Sequence, residues 1–194
     1  MPIPHPPRPP EVQFYWHDQE LEQRISARAQ TCWADGGSIV LVATPGHLEL
    51  LQRRLPRSSS RQRLIAIDAV RLLGRGHDKE GSAHEPNLAA MRQVLQRAGN
   101  AAPGPVFLFC EQAALLWAER RREDAVQVGA VWHQLARQLK LAPRIELMSA
   151  FPMSWFEHLE DGTAFLRICA GHSAVLPAAS EPSAVRTAAA MRSA

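Results

Sequence analysis

The sequence predicts an α/β protein, a three-layer sandwich with a mostly parallel central sheet, and three observations carry that reading. Runs such as Ser38–Ala43 (SIVLVA) and Val106–Cys110 (VFLFC) have strand length and no polar alternation, the pattern of strands covered on both faces. These runs alternate along the chain with segments whose apolar residues recur at helical spacing. A helix that links two parallel strands must lie on a sheet face, so repeated alternation places helices on both sides.

Each element follows in order. Val12–Trp16 is the first strand, and Asp18 caps a helix marked by Leu21, Ile25, Ala29, Cys32 and Trp33, which ends at Gly36-Gly37. Ser38–Ala43 is the second strand, and Thr44-Pro45-Gly46 turns it into a helix over His47–Leu55. Arg63–Asp68 is the third strand, followed by a short helical piece at Val70–Leu73. Gly74–Glu85 is a loop rich in Gly, His and charge, and Pro86 opens a helix running to about Ala98. Gly99–Pro105 is turn chemistry, Val106–Cys110 the fourth strand, and Glu111–Glu119 and Asp124–Leu139 are helices. A strand over Arg144–Ala150, a short helix near Trp155–Leu159 and a final strand from Ala164 to Ala170 complete the pattern.

Composition bounds the rest. The chain has 194 residues, 46% apolar, with 22 basic and 19 acidic side chains and a formal charge of +3, which suits one domain with one core. So small a surplus does not suggest electrostatic nucleic-acid binding, and no direct nucleic-acid partner is expected. Cys32, Cys110 and Cys169 lie far apart with no CxxC pair, which argues against a disulfide framework and a thiolate metal site. No apolar h-region or membrane-length apolar window occurs, so a cytoplasmic protein without a membrane partner is expected. Six of the 15 prolines fall in Met1–Pro10, so residues 1–11 read as a flexible lead-in, 12–177 as a single domain, and 178–194 as a disordered tail.

Open parallel sheets hold ligands outside the carboxyl ends of their strands. The candidates there are Tyr15, Trp16 and His17, then Thr44 and His47, Asp68, Glu111 with Cys110, and Phe151. A nucleotide-hydrolysing version of such a fold needs a GxxxxGK[ST] loop, whose glycines let backbone N–H groups close around phosphate. The first strand leads instead into YWHDQELEQ, without glycine or lysine and with several acids, so phosphoryl transfer is not expected.

The strings VQFYWHDQELEQRI, SIVLVATPGHLELLQRRL, LIAIDAVRLL, PVFLFCEQAALLWAERRREDAVQVGAVWHQLAR, SAFPMSWF and RICAGHSAVL, in that order and spacing over Gln13–Leu176, resemble the MEDS domain, the methanogen/methylotroph sensory domain. The resemblance implies a RecA/KaiC-like fold that has lost its phosphate loop, and a sensory or regulatory role. By position it places His17 and Asp18 where an active ATPase keeps that loop, and Glu111 near its magnesium-holding acid. Members are often attached to histidine kinases or DNA-binding regulators. No such segment is recognisable here, so output through contact with a signalling protein, a histidine kinase or response regulator, is expected.

Each candidate has a packing alternative. Glu111 suits a ligand or cation, and equally a helix N-terminus. Tyr15, Trp16 and His17 offer a stacking wall, or Tyr15 or Trp16 packs under the first helix. His47 sits where an anion or merely solvent would be met. His172 beside Cys169 suggests a metal or catalytic pair, but on a strand-like run the two would point to opposite faces. His77 and His84 frame the long loop. Arg120, Arg121 and Arg122 suit a phosphate-bearing partner such as a cyclic dinucleotide, or a solvated turn. Trp117, Trp132 and Trp155 read as core or interface anchors.

The expectation is a non-enzymatic sensory domain, with no cofactor, metal or catalytic residue, that takes a small molecule or partner at the strand-end crevice. The alternatives are a ligand-free scaffold that recruits a histidine kinase or response regulator, and an enzyme using Cys110 as nucleophile beside Glu111.

Overall fold

The computed structural model of the chain describes residues 10–55, 62–73, 87–156 and 162–178. In order, these form β1 (Glu11–Tyr15), α1 (Asp18–Ala34), β2 (Ser38–Ala43), α2 (Pro45–Arg54), β3 (Leu64–Asp68), α3 (Ala69–Leu72), α4 (Leu88–Ala101), β4 (Val106–Cys110), α5 (Gln112–Ala118), α6 (Arg122–Gln138), β5 (Ile145–Pro152), α7 (Gly162–Ala170) and β6 (Ala174–Leu176). The strands make one six-stranded sheet in the order β3-β2-β4-β5-β1-β6, and every pairing is parallel.

The wholly apolar runs are the central strands. Every residue of β2 and β4 is buried, because helices cover both faces. On one face α1 and α2 bury Leu21, Ile25, Cys32, Trp33 and Leu51 against Ile39, Leu41, Phe107 and Phe109. On the other, α3 to α7 cover Val40, Val42, Leu108, Leu147, Phe14 and Phe151 with residues that include Met91, Leu95, Trp117, Trp132 and Ile168. The three-layer α/β architecture is thus present, its sheet parallel throughout.

The crossovers divide by direction. From β1 to β2 and on to β3 the chain moves toward the β3 edge through α1 and α2; from β3 to β6 it moves back through helices on the opposite face. One hand of crossover demands that split. Adjacent strands β2 and β4 therefore send their chains in opposite directions, and a crevice opens at their carboxyl ends.

At the opposite end of the sheet, Gly36 (φ +72) closes α1 in the left-handed region, and a Cβ on Gly37 would lie 2.3 Å from Pro105 O. The turns before β2 and β4 are packed too closely for a side chain there.

Several expectations are corrected. Ala164–Ala170 is not a strand. Phe165, Ile168 and Cys169 recur at helical spacing and pack on the core from α7, while the final strand is the short edge β6. The residue capping α1 is His17; Asp18 is its first helical residue, and no side-chain cap bond forms. The helix expected near Trp155–Leu159 is a 3-10 turn over Met153–Phe156, and 157–161 lie outside the described residues. β5 runs on through Pro152, so Phe151 lies within a strand and not beyond its end. The long loop with His77 and His84, Pro86, the lead-in to Pro9 and the tail from Ala179 also lie outside the described residues. Among the described residues no helix is long and apolar enough to cross a membrane.

Candidate functional site

The crevice between β2 and β4 is built from three strand ends. β2 ends at Ala43, and Thr44, in extended conformation, precedes Pro45 at the first position of α2, where a fixed φ and a missing N–H both suit a helix start. That places His47 in the first turn of α2, facing the end of β4. There Glu111 N donates to Val42 O at 2.8 Å, which carries the β4 ladder one residue further and aims the Glu111 side chain at Thr44. β1 brings Tyr15, and α1 starts at Asp18 after a link of two residues, Trp16 and His17.

Both oxygens of Glu111 are bound by the chain itself. Thr44 N–H donates to Oε2 at 2.7 Å, and His47 Nδ1 bonds Oε1. The other ring nitrogen of His47, Nε2, lies 3.4 Å from Asp18 Oδ1. The result is a continuous chain, Thr44–Glu111–His47–Asp18, across the switch point of the sheet. Glu111 is 4% exposed, so a lone carboxylate there would be strongly disfavoured, and the imidazolium meets it. The hydrogen bond to Glu111 pushes the His47 imidazole up to about 9, against a smaller opposing effect of burial; the charges of Glu111 and Asp18 add to the rise. Tyr15 is buried beside them, and its hydroxyl is held above its ordinary range by burial and then by the Glu111 and Asp18 charges.

The arrangement gathers Tyr15, Thr44, His47 and Glu111 from the strand-end candidates, and with them Asp18, which the resemblance places with His17 and which here is the second carboxylate on His47. Its signal in the sequence was its place at the start of the glycine-free segment. Trp16 is half-buried in the link, and His17 is exposed. Asp68 ends the neighbouring strand, opposite Ala43 in register, but its Oδ1 accepts from Val70 N at 2.9 Å and caps α3. Phe151 is fully buried with Phe14, Trp117 and Phe156 as ring neighbours, so it serves the core.

The three arginines do not converge. Arg120 is exposed at φ 61, Arg121 pairs with Asp124 at 2.6 Å, and the Arg122 guanidinium lies 5.2 Å above the Trp117 ring. Trp132 is a core residue whose Nε1 donates to buried Gln112 Oε1 at 2.9 Å, and Trp117 packs in the aromatic cluster. The Cys110 thiol is fully buried and pushed up to about 12 by desolvation. Cys169 and His172 lie on and just beyond α7, so the strand geometry expected to separate them does not hold; His172 Nδ1 bonds Ile168 O at 2.7 Å. Among the described residues no group of three or more His, Cys, Asp or Glu is placed to hold a metal ion.

Chemically, the crevice carries two carboxylates and one imidazolium. The link from β1 to α1 beside it is two residues long. Comparison with family models, with curated proteins and with solved structures returns no match.

Proposed function

We propose that the chain is a sensory domain of the MEDS type, with a RecA/KaiC-like scaffold whose nucleotide site has degenerated, and that it acts in signal transduction without an enzymatic step. A small ligand or a partner segment enters the crevice between β2 and β4, and the response passes to a histidine kinase or response regulator through altered protein contacts. One observation carries the reading. Glu111 sits at the strand end where a nucleotide-hydrolysing relative would direct its acid to a metal, yet here both its oxygens are bound by Thr44 and His47. The all-parallel sheet with helices on both faces supports the scaffold assignment.

In this reading Asp18 and His47 are the entry contacts, because Asp18 is the exposed end of the chain of bonds, and Tyr15 and Glu111 form its floor. A ligand that takes a bond from His47 changes how α2 is tied to β4. The test is a thermal-shift panel of nucleotides, cyclic dinucleotides and small organic molecules, with ATP turnover measured in parallel. Binding to the folded state raises the melting temperature. A stabilising compound whose effect is lost in Glu111→Gln and His47→Gln, without ATP turnover, is the expected result. Magnesium-dependent ATP hydrolysis that vanishes in Glu111→Gln overturns the proposal.

The scaffold reading draws on a different observation: Leu166 on α7 and Val175 on β6 are 66% and 44% exposed. Silence across the whole panel favours it.

A further inference from the structure

A second cluster of titratable groups lies on the other face of the sheet, where α7 packs along α6. On α6, residues 131, 134, 135 and 138 line a cavity of about 440 Å³ against α4. By helical spacing, residues 126, 130, 133 and 137 share a different side, so His133 projects from the flank away from α4, the side that receives α7. Its Nε2 is sealed from solvent and has no hydrogen-bond partner. His172 follows the end of α7, and since a carbonyl can only accept, its Nδ1 carries the proton donated to Ile168 O at 2.7 Å.

The groups that act on these rings are uniformly unfavourable to an added proton or nearly so. His133 feels burial first, then His172 from beyond α7 and Arg137 from its own helix; His172 feels burial, opposed only by the Ile168 carbonyl. Among the described residues no carboxylate acts on either ring. Besides the packing of Phe165, Ile168 and Cys169 on the core, the segment is held by polar contacts at its edges: β6 pairs three residues with β1, Ser173 and Ala174 donate to Pro10 O, and the Arg167–Glu123 pair at the other end is solvent-exposed.

We propose that His133 and His172 form an acid-sensitive catch that keeps α7 and β6 docked while both rings are neutral and releases them when either is protonated. A proton on either ring places a cation in a part-buried site, beside Arg137 in the case of His133, with no anion among the described residues to meet it. Release frees the helix whose Phe165 packs on Phe14 and Phe156.

The direct test is amide hydrogen exchange of residues 162–178, corrected for intrinsic rates, in the native chain and in H133Q/H172Q at about pH 7.5 and about pH 5.5, either side of the ordinary imidazole range. The native chain is expected to lose about tenfold protection in this segment at the lower pH, while β2 and β4 hold theirs and the variant is flat. Equal loss in native and variant chains, or loss spread evenly over β2 and β4, overturns the proposal. If the double variant fails to fold, H133Q and H172Q singly carry the same comparison, each expected to shrink the response; an undiminished response in both is equally contrary.

Discussion

His47 and Glu111 meet across the gap where the chains leaving β2 and β4 part, the imidazole Nδ1 on one carboxylate oxygen and the Thr44 amide on the other. The pair ties the first turn of α2, on one face of the sheet, to the strand that feeds α5 on the opposite face. A buried acid is thereby neutralised without any external cation, and a change at His47 is transmitted to both layers.

This bond makes stability fall in alkali. The ring is raised from 6.5 to about 9, so the pair's contribution is full below about pH 6.5 and is lost as pH rises through about 9. The gap corresponds to an upper bound of about 3 kcal/mol. Urea unfolding from pH 6 to pH 10 should show the native chain losing about 2 kcal/mol or more beyond the loss in His47→Gln. Parallel curves for the two chains would refute the assignment.

Removing either partner strands the other. A double-mutant cycle with Glu111→Gln and His47→Gln is expected to give a coupling of about 1–3 kcal/mol, measured by chemical unfolding at neutral pH. Additive effects within about 0.5 kcal/mol would mean that the two side chains do not interact in solution.

Two helices end on side-chain-bearing residues in the left-handed region, Arg120 at φ 61 after α5 and Lys140 at φ 58 after α6. Glycine carries no Cβ penalty there. Lys140→Gly should therefore stabilise the chain by about 1 kcal/mol, a rise of about 2–4 °C in melting temperature. An unchanged or lower value would show that the Lys140 side chain makes a compensating contact.

Cys110 should be inert in the native chain. Its thiol is fully buried, raised to about 12, and lies 3.4 Å from Gln112 Oε1. Labelling by a thiol reagent at pH 8 should proceed at Cys110 only as fast as the protein unfolds, and more slowly than at half-buried Cys169. Fast labelling of Cys110 would revive the nucleophile reading.

Much of the fold was legible because its strands are so apolar. SIVLVA and VFLFC have no other way to bury every residue than inside a sheet covered twice, and both are. The last helix reads as a strand for the same reason: in GTAFLRICA the small and apolar residues crowd together, and only the core contacts of Phe165, Ile168 and Cys169 distinguish helical from alternating spacing. At the site, strand-end position alone pointed to Tyr15, Thr44, His47 and Glu111. It could not foresee that β5 would run on past Ala150 and take Phe151 into the core, nor that Asp68 would turn back on Val70. The pairing of His47 with Glu111 spans 64 residues, and only the strand order brings its two ends together.

Imidazole NMR of His47, followed across pH with and without magnesium ATP, tests the account most directly. A ring that titrates near pH 9 and is indifferent to the nucleotide is the predicted result, because Glu111 then remains committed to His47. Titration near 6.5, or a nucleotide-dependent shift abolished by Glu111→Gln, would contradict it.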